Sequence, residues 1–578
     1  MLAEASVDDL PALVREFDGG RPRWIWSDTR RWYPSLLQAG VRVERCHDLR
    51  LVGAVLADSE SVGPARASAP DRPAWLPRGP AEAAAGLTVA VVPSSAASSA
   101  GGAPALFELS DHAAHPPQVQ PGDAEPAHRA RDGVASAREV AAEHDRQESL
   151  IARSSSPGAL RLLLAAESAG ALIGAELAAA GVPWDADVHD RVLEAELGPR
   201  PAAGRKPERM EVLAAQVRLA LDAPRLNLDS QADLLRALRA AGIGVASTSR
   251  WELREHEHAA IDPLVAYRRM SRLLTANGWT WLGEWVHDGR FRPEYVPGGT
   301  ATGRWATSGG GALQLPKQVR AAVSADPGWW LVVADAAQLE PRILAAMSGD
   351  RRMADAGRGR DVYRGIVDAG VVETRDQAKV AMLGAMYGAT TGESGRLVPR
   401  LHRAFPAAMA LVDRAAAVGE RGGRVTTLLG RSSPLPPETW RAIQSRASEP
   451  DATPADERRA RSSARDWGRF TRNFVVQGTA AEWALCWMAG LRTRLAAIEV
   501  GELARPAAAS GAAFQCSPHI VYFLHDELIV HAPEGVVDDV VAAVREAAAE
   551  AGRMLFGSFP IEFPLDLAVV GSYAEADD

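Results

Sequence analysis

Two strand-like apolar runs that lead into acidic residues are the feature that most constrains the fold of this 578-residue sequence. In WWLVVADAAQLEPRIL the apolar run reaches Asp335, and a helix is predicted to begin near Gln338. In HIVYFLHDELIVHAP, Asp526 and Glu527 lie between two apolar runs, which suits a tight hairpin with the acids at its tip. Because strand-like runs alternate with long helices in this part of the chain, we predict α/β elements around a sheet that carries the acids.

Each acidic motif also has a plain structural explanation. An aspartate after a strand is often only a turn residue or a helix N-cap, and HDE in a hairpin can be a solvated turn. Taken together, Asp335 and Asp526 supply the hard oxygen ligands that Mg²⁺ prefers. Two Mg²⁺ ions can activate an attacking hydroxyl and neutralise the leaving oxygens of a phosphoryl transfer. We therefore predict that these two aspartates are metal ligands.

The segment RDQAKVAMLGAMYG, between the acidic motifs, is predicted to form a helix. Thr374 and Gln377 fit a capping box, which predicts that the helix begins there. At about 100° per residue, four of its side chains share one face: Arg375, Lys379, Leu383 and Tyr387. This face offers cations to a triphosphate and an aromatic ring to a base. A lone helix of this kind is by default amphipathic, with a solvated basic edge.

Composition excludes few functions. The net charge of −9 leaves room for a basic cleft, because phosphate contacts need only a local row of Lys and Arg. The three cysteines form no CxxC motif, and no His cluster occurs at zinc spacing, so neither a disulfide framework nor a structural zinc site is indicated. The acidic N-terminus does not match a signal peptide, and no uninterrupted apolar run reaches membrane-spanning length. We expect a cytoplasmic protein that is not associated with a membrane.

The chain is long enough for three or four domains of about 100–200 residues. The region up to about residue 150 mixes short strand-like runs, RWIW and LTVAVV, with stretches rich in Ser, Ala, Gly and Pro. We expect this region to be loop-rich or poorly ordered. From about residue 150 to residue 277 the pattern is helical and rich in alanine, and we expect these helices to form an elongated arm.

Three motifs in this order resemble the polymerase region of the DNA polymerase I family, family A. The strand motif DYSQIELR of that family appears as DAAQLEPR, its helix motif R-x3-K-x7-YG begins at Arg375, and its HDE motif is intact. TATGR at 300–304 and R-x3-N-x3-QGTAA from Arg469 to Ala481 also match. The resemblance covers roughly Glu167 to the C-terminus.

The resemblance implies a multidomain α/β fold with a right-hand polymerase of palm, fingers and thumb. The implied domains are an exonuclease-like α/β domain at 1–155, a helical thumb at 156–277, a first part of the palm at 278–350, fingers at 351–479 and a second part of the palm at 480–578. It also implies a monomer that extends primer-template DNA with dNTPs in DNA repair or replication gap filling. Its expected cofactors are two Mg²⁺ ions, with Mn²⁺ as a substitute.

The resemblance further implies roles for individual residues. Asp335 and Asp526 would hold the metals, with Glu527 in support. Lys379 would protonate the departing pyrophosphate, and Glu340 would exclude a ribose 2′-hydroxyl. The residues implied to bind the nucleotide are Arg375, Lys379, Leu383, Tyr387, Glu340 and Gln338. Those implied to contact DNA are Arg304, Arg469, Asn473, Gln477 and His525.

The sequence departs from the family pattern at the implied nucleotide site. Ala336 and Ala337 replace the usual Tyr-Ser, and Pro341 follows Glu340. Leu383 stands where family members usually have Phe or Tyr beside the nucleotide sugar. We therefore predict altered use of dideoxynucleotides.

The N-terminal region departs further. A 3′-to-5′ exonuclease of this family needs four carboxylates that begin with D-x-E on an early strand, and neither RWIWSDTRR nor LTVAVVPSS carries that motif. Asp48 and Asp145 are the candidates for remnants of the later motifs. We expect a degenerate exonuclease-like domain and a polymerase without proofreading. The alternatives are a polymerase with an active exonuclease, a catalytically weak DNA-binding scaffold and a single-subunit RNA polymerase.

Overall fold

The computed structural model describes residues 9–66, 72–73, 75–76, 136–202, 204–245, 247–311, 315–389, 392–501 and 505–577. Its α-helices are α1 (Leu10–Asp18), α2 (Thr29–Gln38), α3 (Leu49–Asp58), α4 (Gly63–Arg66), α5 (Ala137–Ala152), α6 (Pro157–Ala180), α7 (Ala186–Leu197), α8 (Glu208–Ala220), α9 (Gln231–Ala240), α10 (Arg250–Arg254), α11 (Ile261–Asn277), α12 (Trp279–Trp285), α13 (Leu339–Ser348), α14 (Arg351–Ala356), α15 (Val362–Asp368), α16 (Arg375–Tyr387), α17 (Gly392–Ala404), α18 (Pro406–Glu420), α19 (Glu438–Ala447), α20 (Pro454–Ala497) and α21 (Val537–Phe556). Its strands are β1 (Arg23–Trp26), β2 (Arg45–Asp48), β3 (Val182–Pro183), β4 (Val286–His287), β5 (Arg290–Phe291), β6 (Glu294–Val296), β7 (Ala306–Gly309), β8 (Trp329–Ala336), β9 (His519–Leu524), β10 (Glu527–Pro533) and β11 (Leu565–Val570).

A four-stranded antiparallel sheet lies at the centre of the C-terminal part, with strand order β11-β8-β10-β9. Strand β8 is mostly buried, as its apolar run predicts, and it pairs along its length with strands on both sides. The predicted hairpin is confirmed, because β9 and β10 pair with Leu524 opposite Glu527. The predicted sheet that carries the acids is thus present.

The 44-residue helix α20 packs against α21, α18 and the central sheet. Thr453 caps its N-terminus in a capping box with Asp456. In its C-terminal half, Trp483 and Trp487 are fully buried, and the Trp487 indole donates a hydrogen bond to the carbonyl of Val544 on α21. Burial of an aromatic side chain of this size stabilises a fold by roughly 1.5–3 kcal/mol. These tryptophans hold α20 in a fixed position beside the sheet.

The region from α6 to α12 is helical, as predicted. Helix α6 is long and apolar enough to cross a membrane, and its most apolar window has a mean hydropathy of 1.5. No uninterrupted apolar run of membrane-spanning length was expected from the sequence. Helix α6 nevertheless reaches that length with a sufficient mean hydropathy. Inside the protein 67% of that window is buried, and α6 packs against both α2 and α20. The helix is therefore part of the core that joins the two ends of the chain.

The described part of the N-terminal region differs from the loop-rich prediction. Strands β1 and β2 pair in parallel, and helices α3, α5 and α6 pack against them. For residues 9–66 the prediction is wrong, because short helices and two strands occupy most of this segment. The LTVAVV run and the Ser-, Ala-, Gly- and Pro-rich stretches lie outside the described residues.

Buried charges join the N-terminal region to the rest of the protein. The Arg492 guanidinium on α20 donates to the Glu176 carboxylate on α6 and to the carbonyls of Val43 and Glu44. The Tyr33 hydroxyl donates to Glu176 at 2.6 Å. Although burial acts in the opposite direction, the cations around Glu176 lower its pKa to about 2. This set of side chains, the Glu176 network, fixes the N-terminal region against α6 and α20.

Candidate active site

The predicted acids meet at one end of the central sheet. Glu527 on β10 and Asp566 on β11 are the residues directly opposite Asp335 on β8, one on each side. Directly opposite residues of antiparallel strands point to the same face of the sheet. Asp526 lies in the two-residue turn before β10, and its carbonyl accepts a hydrogen bond from the Ala336 amide at 2.9 Å. Four carboxylates are thereby gathered around one strand end.

The turn that carries Asp526 has a constrained backbone. His525 has a φ of +58°, in the left-handed region. Two-residue hairpin turns use this region at their first position because it matches the twist of the strands. A non-glycine residue there is uncommon and is maintained by its surroundings. Pairing of β9 and β10 on either side of the turn supplies those surroundings.

The charge of these acids is poorly compensated by the protein itself. Burial, followed by repulsion from Asp526, Glu527 and Asp566, raises the pKa of Asp335 to about 8. Burial also raises the pKa of Asp526 to about 7, against the opposing effect of Arg304. The Arg320 guanidinium lies 4.0 Å from Glu527 and stacks on the Tyr573 ring at 4.4 Å. Such a site favours a bound cation, because a cation relieves the repulsion between carboxylates.

Beside the acids, four of the predicted residues form one hydrogen-bonded set. The Arg304 guanidinium pairs with the Glu340 carboxylate. The Tyr387 hydroxyl donates to Glu340 at 3.4 Å, and the Gln477 amide donates to that hydroxyl at 3.1 Å. Arg304 also interacts electrostatically with Asp526. A turn over residues 300–304, in which the Thr300 amide donates to the Arg304 carbonyl, positions the arginine.

Helix α16 begins where the sequence predicted. The Thr374 hydroxyl accepts a hydrogen bond from the Gln377 amide at 3.2 Å. The capping box is incomplete, because the Gln377 side chain accepts from the Glu373 amide instead of that of Thr374. The Arg375 guanidinium pairs with Asp361 at 2.9 Å and lies over the Tyr363 ring.

The other predicted positions differ in how they are held. Lys379 is half-buried and forms no hydrogen bond or ion pair with any described residue. Leu383 is half-buried on the same helix. Gln338 has a φ of +50° and caps α13, and its side-chain oxygen accepts from the Val362 amide at 3.3 Å. Gln338 thus connects the acidic strand end to the helices that precede α16.

Two predicted residues of α20 have contrasting surroundings. The side-chain oxygen of Asn473 is buried and has no hydrogen-bond partner in the described part of the chain. A buried acceptor without a hydrogen-bond partner is costly, and the Asn473 oxygen is one of several such atoms among the described side chains. Arg469, one turn earlier, is half-exposed and pairs with Asp466.

Comparison with known proteins identifies the family. The sequence model of DNA polymerase family A matches residues 207–571, more than half of the chain. The chain belongs to DNA polymerase family A. It is 27% identical over 343 residues to the thermostable DNA polymerase I of Thermus filiformis, and 28% identical over 359 residues to the DNA polymerase I of Chloroflexus aurantiacus. These alignments cover 54% and 57% of this chain but only 36% and 34% of the relatives' own lengths.

A solved structure supports the fold of this family A chain. The polymerase domain of Pol1 from M. smegmatis, in complex with DNA primer-template and dNTP, superimposes with a TM-score of 0.56 at 18% identity. The match covers 76% of this chain and 75% of that one.

Family A enzymes depend on divalent metal ions in general, and the donor set here fits such ions. Asp335, Asp526 and Glu527 present only carboxylate oxygens, which are hard ligands suited to Mg²⁺. Burial and the neighbouring carboxylates raise the pKa of both aspartates, so a bound cation would stabilise their ionised forms.

Sequence reasoning missed two acids of this candidate site. Asp566 joins the acidic group through the pairing of β11 with β8. The alternating run PLDLAVV is the only local signal, and it does not reveal which strand will be its neighbour. Asp361 caps α15 and pairs with Arg375, which holds the arginine before any ligand binds.

The two candidate exonuclease remnants, Asp48 and Asp145, do not resemble the carboxylate cluster of the central sheet. Asp48 is fully buried, and its carboxylate accepts hydrogen bonds from the amides of Thr29 and Leu51, at 2.8 and 2.9 Å. Asp145 is exposed on α5. Asp48 therefore acts as the N-cap of α3.

Proposed function

We propose that the protein is a template-directed DNA polymerase that adds dNTPs to a primer 3′ end. The observation that carries this proposal is the meeting of Asp335, Asp526 and Glu527 at one sheet end, next to the set of Arg304, Glu340, Tyr387 and Gln477. Family membership supports it. The DNA-directed activity is taken from relatives that the chain matches over about a third of their length.

Asp335 and Asp526 would hold two Mg²⁺ ions, with Glu527 beside them, and Mn²⁺ is a suitable substitute. When bound, such ions supply Lewis acidity that activates the primer hydroxyl and neutralises the leaving pyrophosphate. The aspartates must be ionised for this role. Metal binding is therefore coupled to proton release in the range of their raised pKa values.

Arg375 and Lys379 would bind the triphosphate of the incoming nucleotide. Arg375 is oriented by Asp361, so its donors are arranged before the nucleotide arrives. Lys379 has no partner among the described side chains, and its ammonium group is therefore available to a phosphate oxygen. As the departing pyrophosphate gains charge, the same ammonium group can donate a proton to it.

Selection of the sugar would depend on Glu340. Its carboxylate is held by Arg304 and by the Tyr387 hydroxyl, so it cannot move aside easily. A ribose 2′-hydroxyl would meet this fixed group, which favours DNA over RNA as product. Competition between rNTPs and dNTPs on one template tests this choice, and equal use of both would contradict it.

Primer-template DNA would lie along α20 and the turn before β10. The side-chain amide nitrogens of Asn473 and Gln477 can donate to minor-groove edges, where acceptors are present in every base pair. His525, exposed in its turn, would contact the primer end. Arg469 would pair with a backbone phosphate and exchange Asp466 for it.

The proposed organisation keeps the predicted boundaries: 1–155 as a degenerate exonuclease-like domain, 156–277 as thumb, 278–350 and 480–578 as palm, and 351–479 as fingers. The protein would act as a cytoplasmic monomer in DNA repair or gap filling, without proofreading. The lack of proofreading is supported by the use of Asp48 as a helix cap.

The test is primer extension on templates with a matched or a mismatched 3′ end, with and without dNTPs. Wild type should extend the matched primer, and Asp526→Asn should not. Without dNTPs neither primer should shorten. Failure of wild type to extend in Mg²⁺ would overturn the polymerase assignment and favour a DNA-binding scaffold. Shortening that survives Asp526→Asn would overturn the absence of an exonuclease.

A further inference from the structure

Three metal-ligand side chains meet in the N-terminal region, far along the chain from the acids of the central sheet. His47 is the third residue of β2, and His144 and Glu148 are four residues apart on α5. One ligand atom from each lies within 4.8 Å of the others. Because His144 and Glu148 are four residues apart, they share one face of α5. His47 is buried, whereas His144 and Glu148 are half-buried, so an ion can enter from the surface.

The hydrogen bonds around His47 fix which ring nitrogen carries the proton. The Gln147 amide nitrogen donates to the Leu49 carbonyl at 3.0 Å and to the Glu143 carboxylate at 2.7 Å. The Gln147 oxygen must therefore accept, and its partner at 2.9 Å is His47 Nε2. The remaining ring nitrogen, Nδ1, keeps its lone pair. Metal-binding histidines are commonly held in this way, with the second nitrogen donating to a fixed oxygen.

His144 and Glu148 make only weak interactions with their present partners. His144 Nδ1 lies 3.7 Å from the exposed Asp145 carboxylate, and Glu148 lies 3.6 Å from the Arg161 guanidinium. Both distances exceed those of good hydrogen bonds. Exposed ion pairs of this kind contribute little to stability, so a metal ion can displace them.

We propose that His47, His144 and Glu148 bind one divalent transition-metal ion, for which Zn²⁺ is the reference ion. Two imidazoles and one carboxylate form a recognised zinc ligand set, with a position left for water. Imidazole ligands suit Zn²⁺, whereas the carboxylates of the central sheet suit Mg²⁺. The ion would join β2 to α5, two elements separated by a long stretch of chain. Sequence spacing does not reveal the cluster because its ligands come from separate elements.

A calorimetric titration of the 578-residue protein with Zn²⁺, carried out in excess Mg²⁺, tests the proposal. Under the proposed function, excess Mg²⁺ would occupy the carboxylates of the central sheet. Wild type should bind one equivalent of Zn²⁺ with a Kd of about 1 µM or tighter, and Zn²⁺ should raise its melting temperature. His144→Ala and Glu148→Gln should each lose that equivalent. Gln147→Leu should weaken binding by about 10–100-fold.

His402→Ala is the matched control, because His402 is half-exposed and lies 3.6 Å from the Asp413 carboxylate outside the cluster. This variant should bind Zn²⁺ like wild type. Circular dichroism spectra identical to wild type would show that the variants of α5 remain folded. Absence of a zinc equivalent in folded wild type would overturn the proposal. Zinc binding that survives both His144→Ala and Glu148→Gln would also overturn it, and would point to another ligand such as the exposed Cys516.

Discussion

Two buried acids, Asp48 in the N-terminal region and Glu176 on the neighbouring helix α6, have surroundings opposite to those of the acids of the central sheet. Asp48 and Glu176 accept hydrogen bonds from backbone amides, a tyrosine or arginines, and the pKa of Glu176 is lowered. Asp335 instead faces two further carboxylates across neighbouring strands, and its pKa is raised. An acid whose partners are all within the protein stabilises the fold. An acid left among like charges costs stability and is suited to a ligand.

The largest expected contrast is in activity. Asp335→Asn should lower the rate of primer extension by on the order of 10³-fold or more, since a metal ligand is lost and metal ions supply several kcal/mol of transition-state stabilisation. Primer-template affinity should stay within a few-fold of wild type. The matched control, Asp48→Asn, should keep its rate per folded molecule. Gel-based extension with parallel DNA-binding titrations measures both, and an inactive, well-folded Asp48→Asn would remove the distinction between the two regions.

The next contrast is in stability. Arg492→Met should destabilise the protein by about 3–5 kcal/mol, because Glu176 would remain buried with fewer cations around it. Arg494→Met, two residues further along α20, removes a partly exposed pair with Glu550 and should cost about 1 kcal/mol or less. Calorimetric unfolding of both variants gives the comparison. Equal losses would mean that the Glu176 network is no more important than a surface ion pair.

Replacing an acid of the central sheet should change stability by a smaller amount than replacing Arg492, and should raise it instead of lowering it. The folded-state pKa of Asp335 is about 8 and its ordinary value is 3.8, so this residue's contribution to stability is lost as the pH rises between those values. Without divalent ions, Asp335→Asn should therefore be more stable than wild type at pH 8.5, by on the order of 1–2 kcal/mol. Below about pH 4 the difference should vanish. Thermal melts in EDTA measure it, and a variant that is less stable at pH 8.5 would contradict the repulsion.

The smallest effect concerns the nucleotide sugar. Leu383→Phe should increase discrimination against dideoxynucleotides by about tenfold or less, because a ring packs more tightly on a sugar and the loss of its 3′-hydroxyl then costs more. Leu383→Met conserves volume and serves as the control. The readout is the ratio of kcat/KM for ddNTP and dNTP. An unchanged ratio in the Phe variant would show that this position does not contact the sugar.

Local signals explain which structural predictions were confirmed. The strand that leads to Asp335, the hairpin before Glu527 and the start of α16 at Thr374 each depend on residues close in sequence. A turn or a cap is specified by a few neighbouring side chains, so the sequence pattern was sufficient. The match to family A supported the arrangement of these elements into one fold.

Contacts between distant segments explain what was missed. Asp566 joins Asp335 only through strand order, and Arg492 meets Glu176 only because α20 packs against α6. His47 and His144 are brought together in the same way. The roles of Lys379, Leu383 and Glu340 toward a nucleotide remain predictions, because they concern a ligand and not the fold.

Helix α20 joins these distant parts in one continuous rod. Its 44 residues span roughly 66 Å at 1.5 Å per residue. Gln477 contacts Tyr387 of the candidate active site, and Arg492 enters the Glu176 network about four turns later. One residue inserted between them would rotate everything beyond it by about 100° and shift it by about 1.5 Å. Substitutions along this helix can therefore be accepted singly. An insertion or deletion between Gln477 and Arg492 would require compensating changes in either the candidate active site or the Glu176 network.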